Sequence, residues 1–139
     1  MSREGVETAE TMFAELNRGG IAAISPAFVE RFFDSDVAWE GMDGAPDRGP
    51  FHGRAEVLEH LRSWVQTLDA FRSEPEEIID AGERIVIVHR SHGILRGSNA
   101  DVDLRFASVS EISDGRIISH KQYRRRAEAL EAAGLAQES

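Results

Sequence analysis

The sequence has no cysteine, a single tyrosine and only four prolines in 139 residues. Without thiols there is no disulfide framework, no thiolate zinc site, no iron–sulfur cluster and no cysteine nucleophile. No apolar run approaches the ~20 residues that a membrane-spanning helix requires. The opening Met1-Ser-Arg-Glu-Gly-Val-Glu7 is acidic and lacks the apolar stretch of a secretory leader. Basic residues are scarce: 16 Lys plus Arg stand against 25 Asp plus Glu, a formal net charge of −9. Such a surface repels phosphate backbones, so a nucleic-acid partner is not expected. Glycine-rich dinucleotide and Walker signatures are missing, as is Gly-x-Ser-x-Gly. The expectation is a cytoplasmic protein with no membrane partner.

What is present is a chain that is 41% hydrophobic and long enough to bury one core. Val6, Ala9, Met12, Phe13 and Leu16 recur at helical spacing, and Gly19-Gly20 stops the run. Ser25 as N-cap and Pro26 at the first helical position open a second helix with Phe28, Val29, Phe32 and Phe33 on its apolar face. Val37–Glu40 reads as a short strand, and the Pro- and Gly-rich segment Asp43–Pro50 as a surface loop. A third helix after Gly53 carries Val57, Leu58, Leu61, Trp64, Val65 and Leu68 on one stripe.

The second half reads as sheet. Arg72–Ala81 is a strand interrupted or edged at Pro75. Ile85–His92 starts with β-branched residues, and Val102, Leu104 and Phe106 alternate with polar neighbours in a run that continues to Ile112. Asp114-Gly115 is a hairpin signal, with Ile117–Tyr123 returning along it. Ala127–Ala133 forms a last helical turn before Gly134. Helices followed by hairpin-linked strands predict an α+β fold, whose curved sheet leaves a pocket inside the curve.

Five segments in this order resemble the SnoaL-like branch of the nuclear transport factor 2-like superfamily. They are Phe13–Gly19, Phe33–Glu40, Phe51–Leu58, Ser113–Ile118 and Arg126–Leu135. The resemblance implies one SnoaL-like domain over residues 1–139, built as a cone-shaped, curved antiparallel sheet packed on three helices of the N-terminal half. It also implies a mostly apolar pocket and a homodimer formed through the outer face of the sheet, for which Arg90, His92, Lys121 and Tyr123 are the candidates. The superfamily holds ketosteroid isomerases, epoxide hydrolases, polyketide cyclases and dehydratases, so the fold alone does not choose an activity.

The isomerase chemistry that this resemblance brings would need a phenol, a carboxylate base and a protonated acid. Alignment puts Met12, Gly41 and Ser108 at those three positions. A one-residue slip offers Glu40 as base and then turns Trp39 the wrong way. Gln122 stands where the hydrolases and cyclases carry an acid, and an amide is no general base.

On the strand through Phe106 the even positions form the apolar side, which makes Ser108 and Ser110 inward candidates. Ile117 and Ile118 leave the last strand ambiguous; the resemblance turns Ile118, His120, Gln122 and Arg124 inward, with a three-residue loop ending at Gly115. The strand from Ile85 presents either Ile85, Ile87, His89 and Ser91 or Val86, Val88, Arg90 and His92. A histidine costs less to bury than an arginine, which selects the first set. A hairpin centred near Ser98 then sets His89 beside Ser108, and the last hairpin sets Ser108 beside His120.

The resulting expectation is a polar row, His89–Ser108–His120, on an apolar wall. His120 is the candidate acid/base, His89 its partner and Ser108 a hydrogen-bond donor, with Met12, Trp39, Phe106 and Gln122 as further ligand contacts. The ligand class is a small apolar or polycyclic carbonyl compound, turned over by isomerisation, cyclisation or dehydration with no cofactor. The competing expectation is a non-catalytic ligand-binding or association module, with both histidines merely satisfied by hydrogen bonds in a sheet core or one of them facing the dimer interface. His52 and His60 read as loop and solvated-face residues. His89 and His92 point to opposite faces, and no inward carboxylate joins His89 and His120, so no metal site is expected.

Overall fold

The computed structural model describes residues 2–135, with side chains from Glu4 onward. Helix α1 (Ser2–Gly19) ends in a 3-10 turn (Gly20–Ala23) and is followed by α2 (Pro26–Phe32), β1 (Phe33–Glu40) and β2 (Phe51–His52). Helix α3 (Arg54–Val65) precedes four long strands, β3 (Leu68–Ala81), β4 (Arg84–Leu95), β5 (Asp101–Ser113) and β6 (Arg116–Tyr123), and α4 (Arg126–Ala132) follows them. The fold is α+β, with a curved, unclosed six-stranded sheet in the order β2-β1-β6-β5-β4-β3.

Local chemistry sets the helix positions. The Ser25 hydroxyl accepts the Phe28 N–H at 3.2 Å and opens α2. The Asn17 side chain both donates to the Ser73 carbonyl and accepts the Ser73 N–H, each at 2.8 Å, which latches the end of α1 to β3. The Arg54 guanidinium donates to the Phe33 carbonyl at 2.8 Å and holds the start of α3 against β1. Val6, Ala9 and Phe13 of α1 pack on Ile85 and Ile87 of β4. Phe28, Val29 and Phe32 of α2 pack with Val57 of α3 and with Val37, Trp39 and Ile117 of the sheet. All three helices of the first half therefore cover one face.

The expected sheet was antiparallel throughout, and the structure departs from that at one seam. Strand β1 runs parallel to β6, with Trp39 beside His120 and Ala38 beside Ser119, while the other pairings are antiparallel. A strand that enters after α2 and leaves through the 41–50 loop has no hairpin to reverse it against β6.

The last hairpin also differs from expectation. Asp114 and Gly115 (φ 54° and 75°) form a two-residue turn in place of a three-residue loop. The register then steps between Glu111↔Ser119 and Ile112↔Ile117, which leaves Ile118 as the extra residue of a β-bulge. Ile117 is therefore buried inward, whereas Ile118 is 36% exposed, contrary to the expected inward set. The bulge restores the phase, so that His120 and Gln122 do face inward. Arg124 does not; it is exposed and donates to the Asp43 carbonyl at 3.4 Å.

The opposite face of the sheet is partly covered by α4, whose Ala129, Leu130 and Ala133 bury Val86 and Ala107. Tyr123 packs at the edge of this cluster. Beyond α4 the outer face carries ion pairs: Arg90 with Asp103 (2.9 Å), His92 with Glu74 (2.9 Å) and Arg126 with Glu77 (2.8 Å). Lys121 bridges Glu40 (3.1 Å) and Asp43 (2.9 Å). None of the helices among the described residues is long and apolar enough to cross a membrane.

Candidate functional site

Between the helices and the inner face of the sheet lies a cavity of about 180 Å³. Its helical wall is apolar, with Met12, Phe13 and Leu16 from α1, Phe28 from α2, and Leu61 and Trp64 from α3. The sheet contributes the polar groups, because a strand that alternates faces presents whatever stands at its inward positions. On β4 the inward set is Ile87, His89 and Ser91, and on β6 it is Ile117, His120 and Gln122. Trp39 and Phe106 complete that wall.

His89 is buried to 5% exposure. Its Nε2 lies 2.7 Å from the Ser108 hydroxyl, and its ring stacks on Phe106 at 4.5 Å with Phe13 edge-on at 5.5 Å. The predicted contact with Ser108 is present, but the predicted register is not. His89 stands directly opposite Phe106, while Ser108 is opposite Ile87, so the hydrogen bond runs diagonally across the ladder. Ser108 is fully buried behind His89 and does not line the cavity.

His120 is 6% exposed and stands opposite Ser110, where Ser108 was expected. Its Nδ1 lies 2.9 Å from the Ser110 hydroxyl. Its ring lies on Trp39, with centroids 3.9 Å apart and planes inclined at 20°. His89 meets His120 edge-on at 6.4 Å. Thus the expected single row is two Ser–His pairs, Ser108–His89 and Ser110–His120, offset along the sheet.

Two polar atoms of this wall have no hydrogen-bond partner among the described residues: Trp39 Nε1 and His120 Nε2. A buried donor left unpaired costs on the order of 1–3 kcal/mol. Both belong to rings that line the cavity.

Burial controls the charge of the imidazoles. It holds His89 down at about 3 and pushes His120 well below the ordinary histidine value, with His89 and His60 adding to the shift at His120. Both rings are therefore neutral at pH 7. Each offers one donor and one acceptor nitrogen, with the tautomer set by the serine on the other side.

The sequence reading missed the third histidine of the cavity. His60 lines it, stacks on Phe51 at 4.3 Å and meets Trp39 at 6.1 Å. The signal was available, since His60 lies three residues after Val57 and four before Trp64 on the apolar stripe of α3. Burial lowers its pKa, and the nearby Asp47 carboxylate works in the opposite direction. Asp47, Met42 and Ala45 come from the 41–50 loop, which also lines the cavity although it read only as surface. That loop is held by the Gly41 N–H to the Arg48 carbonyl (2.8 Å) and by Lys121 to Asp43. Ser73 and Ser91, hydrogen-bonded to each other at 3.0 Å, also face the cavity.

Glu40 does not enter the cavity; it faces outward onto Lys121. His52 is exposed. Among the described residues no cluster of three His, Cys, Asp or Glu side chains is placed to hold a metal ion.

This arrangement, a helix-covered sheet with an apolar cavity inside its curve, has relatives. A family model described as SnoaL-like domain matches residues 9–120, and the chain belongs to that family. No curated protein matches the sequence. Among solved structures, an NTF2-like protein of unknown function from Burkholderia pseudomallei K96243 is 24% identical, with a TM-score of 0.70 over 92% of this chain and 95% of that one. A protein with a ketosteroid isomerase-like fold from Catenulispora acidiphila DSM 44928, in complex with trimethylamine, is 16% identical, with a TM-score of 0.67 over 91% and 92%. TerC, co-crystallised with polyporic acid, is 19% identical, with a TM-score of 0.70 over 94% and 98%. At these identities the likeness is one of fold.

Proposed function

We propose that this chain is a small-molecule pocket protein whose ligand is a neutral carbonyl compound of one or two rings, and that it moves a proton on that ligand without a cofactor. The observation that carries the reading is an apolar cavity with two buried imidazoles, each tied to a serine, on one wall. His120 is the acid/base group at the ligand oxygen, and His89 is its partner at the neighbouring carbon. A volume of about 180 Å³ lies below the ~300–1,000 Å³ of drug-sized pockets and favours one or two rings over the larger polycyclic compounds.

A second reading, ligand binding without turnover, draws on a specific observation. Burial holds His89 down at about 3, so its ring is protonated only below about pH 3, which makes it a weak base at neutral pH. One experiment separates the two. With 1-indanone in D₂O, catalysis requires α-proton exchange above the buffer rate, lost in His120→Ala. Binding of the ketone with exchange at the buffer rate contradicts the catalytic reading and leaves the binding one.

A further inference from the structure

We infer that Trp39 Nε1 and His120 Nε2 together form a docking point for one uncharged oxygen of the ligand, which restricts the cavity to neutral, oxygen-bearing molecules. The inference rests on the pocket reading above and names what that pocket selects.

The two nitrogens are the unpartnered polar side-chain atoms of this wall among the described residues. Their rings belong to register partners on adjacent parallel strands, and they stack at 3.9 Å. The unpaired groups therefore sit at the same part of the wall. Trp39 is 8% exposed and His120 6%, so neither is a surface group with water to satisfy it. Shape alone does not explain the indole, because phenylalanine would also stack on His120 and would leave no donor stranded.

The chemistry of the pair defines its partner. An indole N–H only donates, so whatever meets it carries a lone pair. Ser110 holds His120 Nδ1 at 2.9 Å; when its hydroxyl donates that hydrogen bond, Nδ1 is the acceptor nitrogen, and Nε2 carries the ring hydrogen and becomes a second donor. A carbonyl oxygen has two lone pairs and accepts both. Neither nitrogen is open to solvent, so the dock requires the ring edges to become accessible from the cavity as the ligand seats.

The rest of the lining sets the charge. Among the described residues it includes no lysine or arginine, and its one carboxylate is Asp47 on the 41–50 loop. A carboxylate ligand would lose its hydration with no cation to replace it. An ammonium ligand would suit Asp47 and the aromatic walls, but it has no lone pair for Trp39.

The test uses the full chain, ¹⁵N-labelled, with four probes of one shape: 1-indanone, indane, indane-1-carboxylate and 1-aminoindane. The chain has two tryptophans, so Trp64→Phe assigns the two indole N–H resonances. The expected result is a downfield shift of the Trp39 indole N–H with 1-indanone and none with indane. Indanone binds about a hundredfold more tightly than indane, the scale of two added hydrogen bonds, and about tenfold more tightly than either charged analogue. In Trp39→Phe that preference over indane falls about tenfold while indane itself binds within twofold of before. An unmoved Trp39 resonance with indanone bound overturns the dock and leaves the pocket standing. Equal affinities for indanone and indane do the same, as does tighter binding of either charged analogue. Failure of all four probes to bind overturns the pocket reading and the dock with it.

Discussion

Trp39 lies flat against His120, with ring centroids 3.9 Å apart, because the parallel pairing of β1 with β6 sets the two residues side by side on the inner face. A one-residue shift of either strand would turn one ring outward. The seam thus fixes both a core contact and the polar end of the cavity.

Replacement at position 39 separates packing from polarity. Trp39→Ala leaves a hole beside His120 and Phe33 and is expected to cost about 3–5 kcal/mol. Trp39→Phe keeps a stacking ring and removes the unpaired donor, and is expected to cost less than about 1.5 kcal/mol. Urea denaturation of the two variants measures the difference; equal losses would contradict the assignment.

The phase of β6 is open to a direct check. Ile117 is 2% exposed and faces the core, whereas Ile118 is the bulge residue at 36%. Ile117→Ala is expected to cost about 2–5 kcal/mol. Ile118→Thr is expected to stay within about 0.5 kcal/mol of the parent. The reverse order in thermal or urea unfolding would place the bulge elsewhere.

The buried histidines make stability depend on pH in a definite direction. In the unfolded chain His89 and His120 titrate near 6.5, while in the fold both are held lower, His89 at about 3. Between those values the unfolded state binds more protons, so stability rises with pH. It is complete above about pH 6.5 and is lost progressively as pH falls toward 3, on the order of 1.4 kcal/mol per pH unit for a single such group. Replacement of His89 by Gln is expected to flatten that slope in urea titrations run from pH 7 to pH 4. An unchanged slope would mean that the ring is already protonated in the fold.

The latch between α1 and β3 gives a further prediction. Asn17 makes two 2.8 Å hydrogen bonds to the Ser73 backbone. Asn17→Ala is expected to cost about 1–3 kcal/mol and to raise amide exchange at Ser73. Protection at Ser73 equal to the parent's would contradict the latch.

On β4 and β5 faces were legible in the sequence where neighbours were not. The rule that buries histidine before arginine set His89 inward, and the alternation on β5 set Ser108 and Ser110 inward. The β4–β5 register was off by two residues, and the β5–β6 register by one at the turn and by two beyond the Ile118 bulge. A two-residue slip keeps every side chain on its own face and changes only its opposite number. His89 therefore kept its Ser108 contact diagonally, while His120 exchanged Ser108 for Ser110. The bulge at Ile118 left no compositional mark, since two adjacent isoleucines fit either phase. The parallel seam of β1 depends on the path of the chain through the 41–50 loop, which local pattern does not encode. His60 is readable from its helical spacing, but a histidine near the start of a helix resembles a solvated one.

The central claim is that the inner face of the sheet receives a neutral carbonyl compound. A crystal structure of the full chain grown with 1-indanone tests it most directly. The expected map shows the ketone between Met12 and Phe106, with its oxygen within hydrogen-bond distance of Trp39 Nε1 and His120 Nε2. A map with the cavity closed by its own side chains, or with indanone held only on the outer face of the sheet, would contradict it.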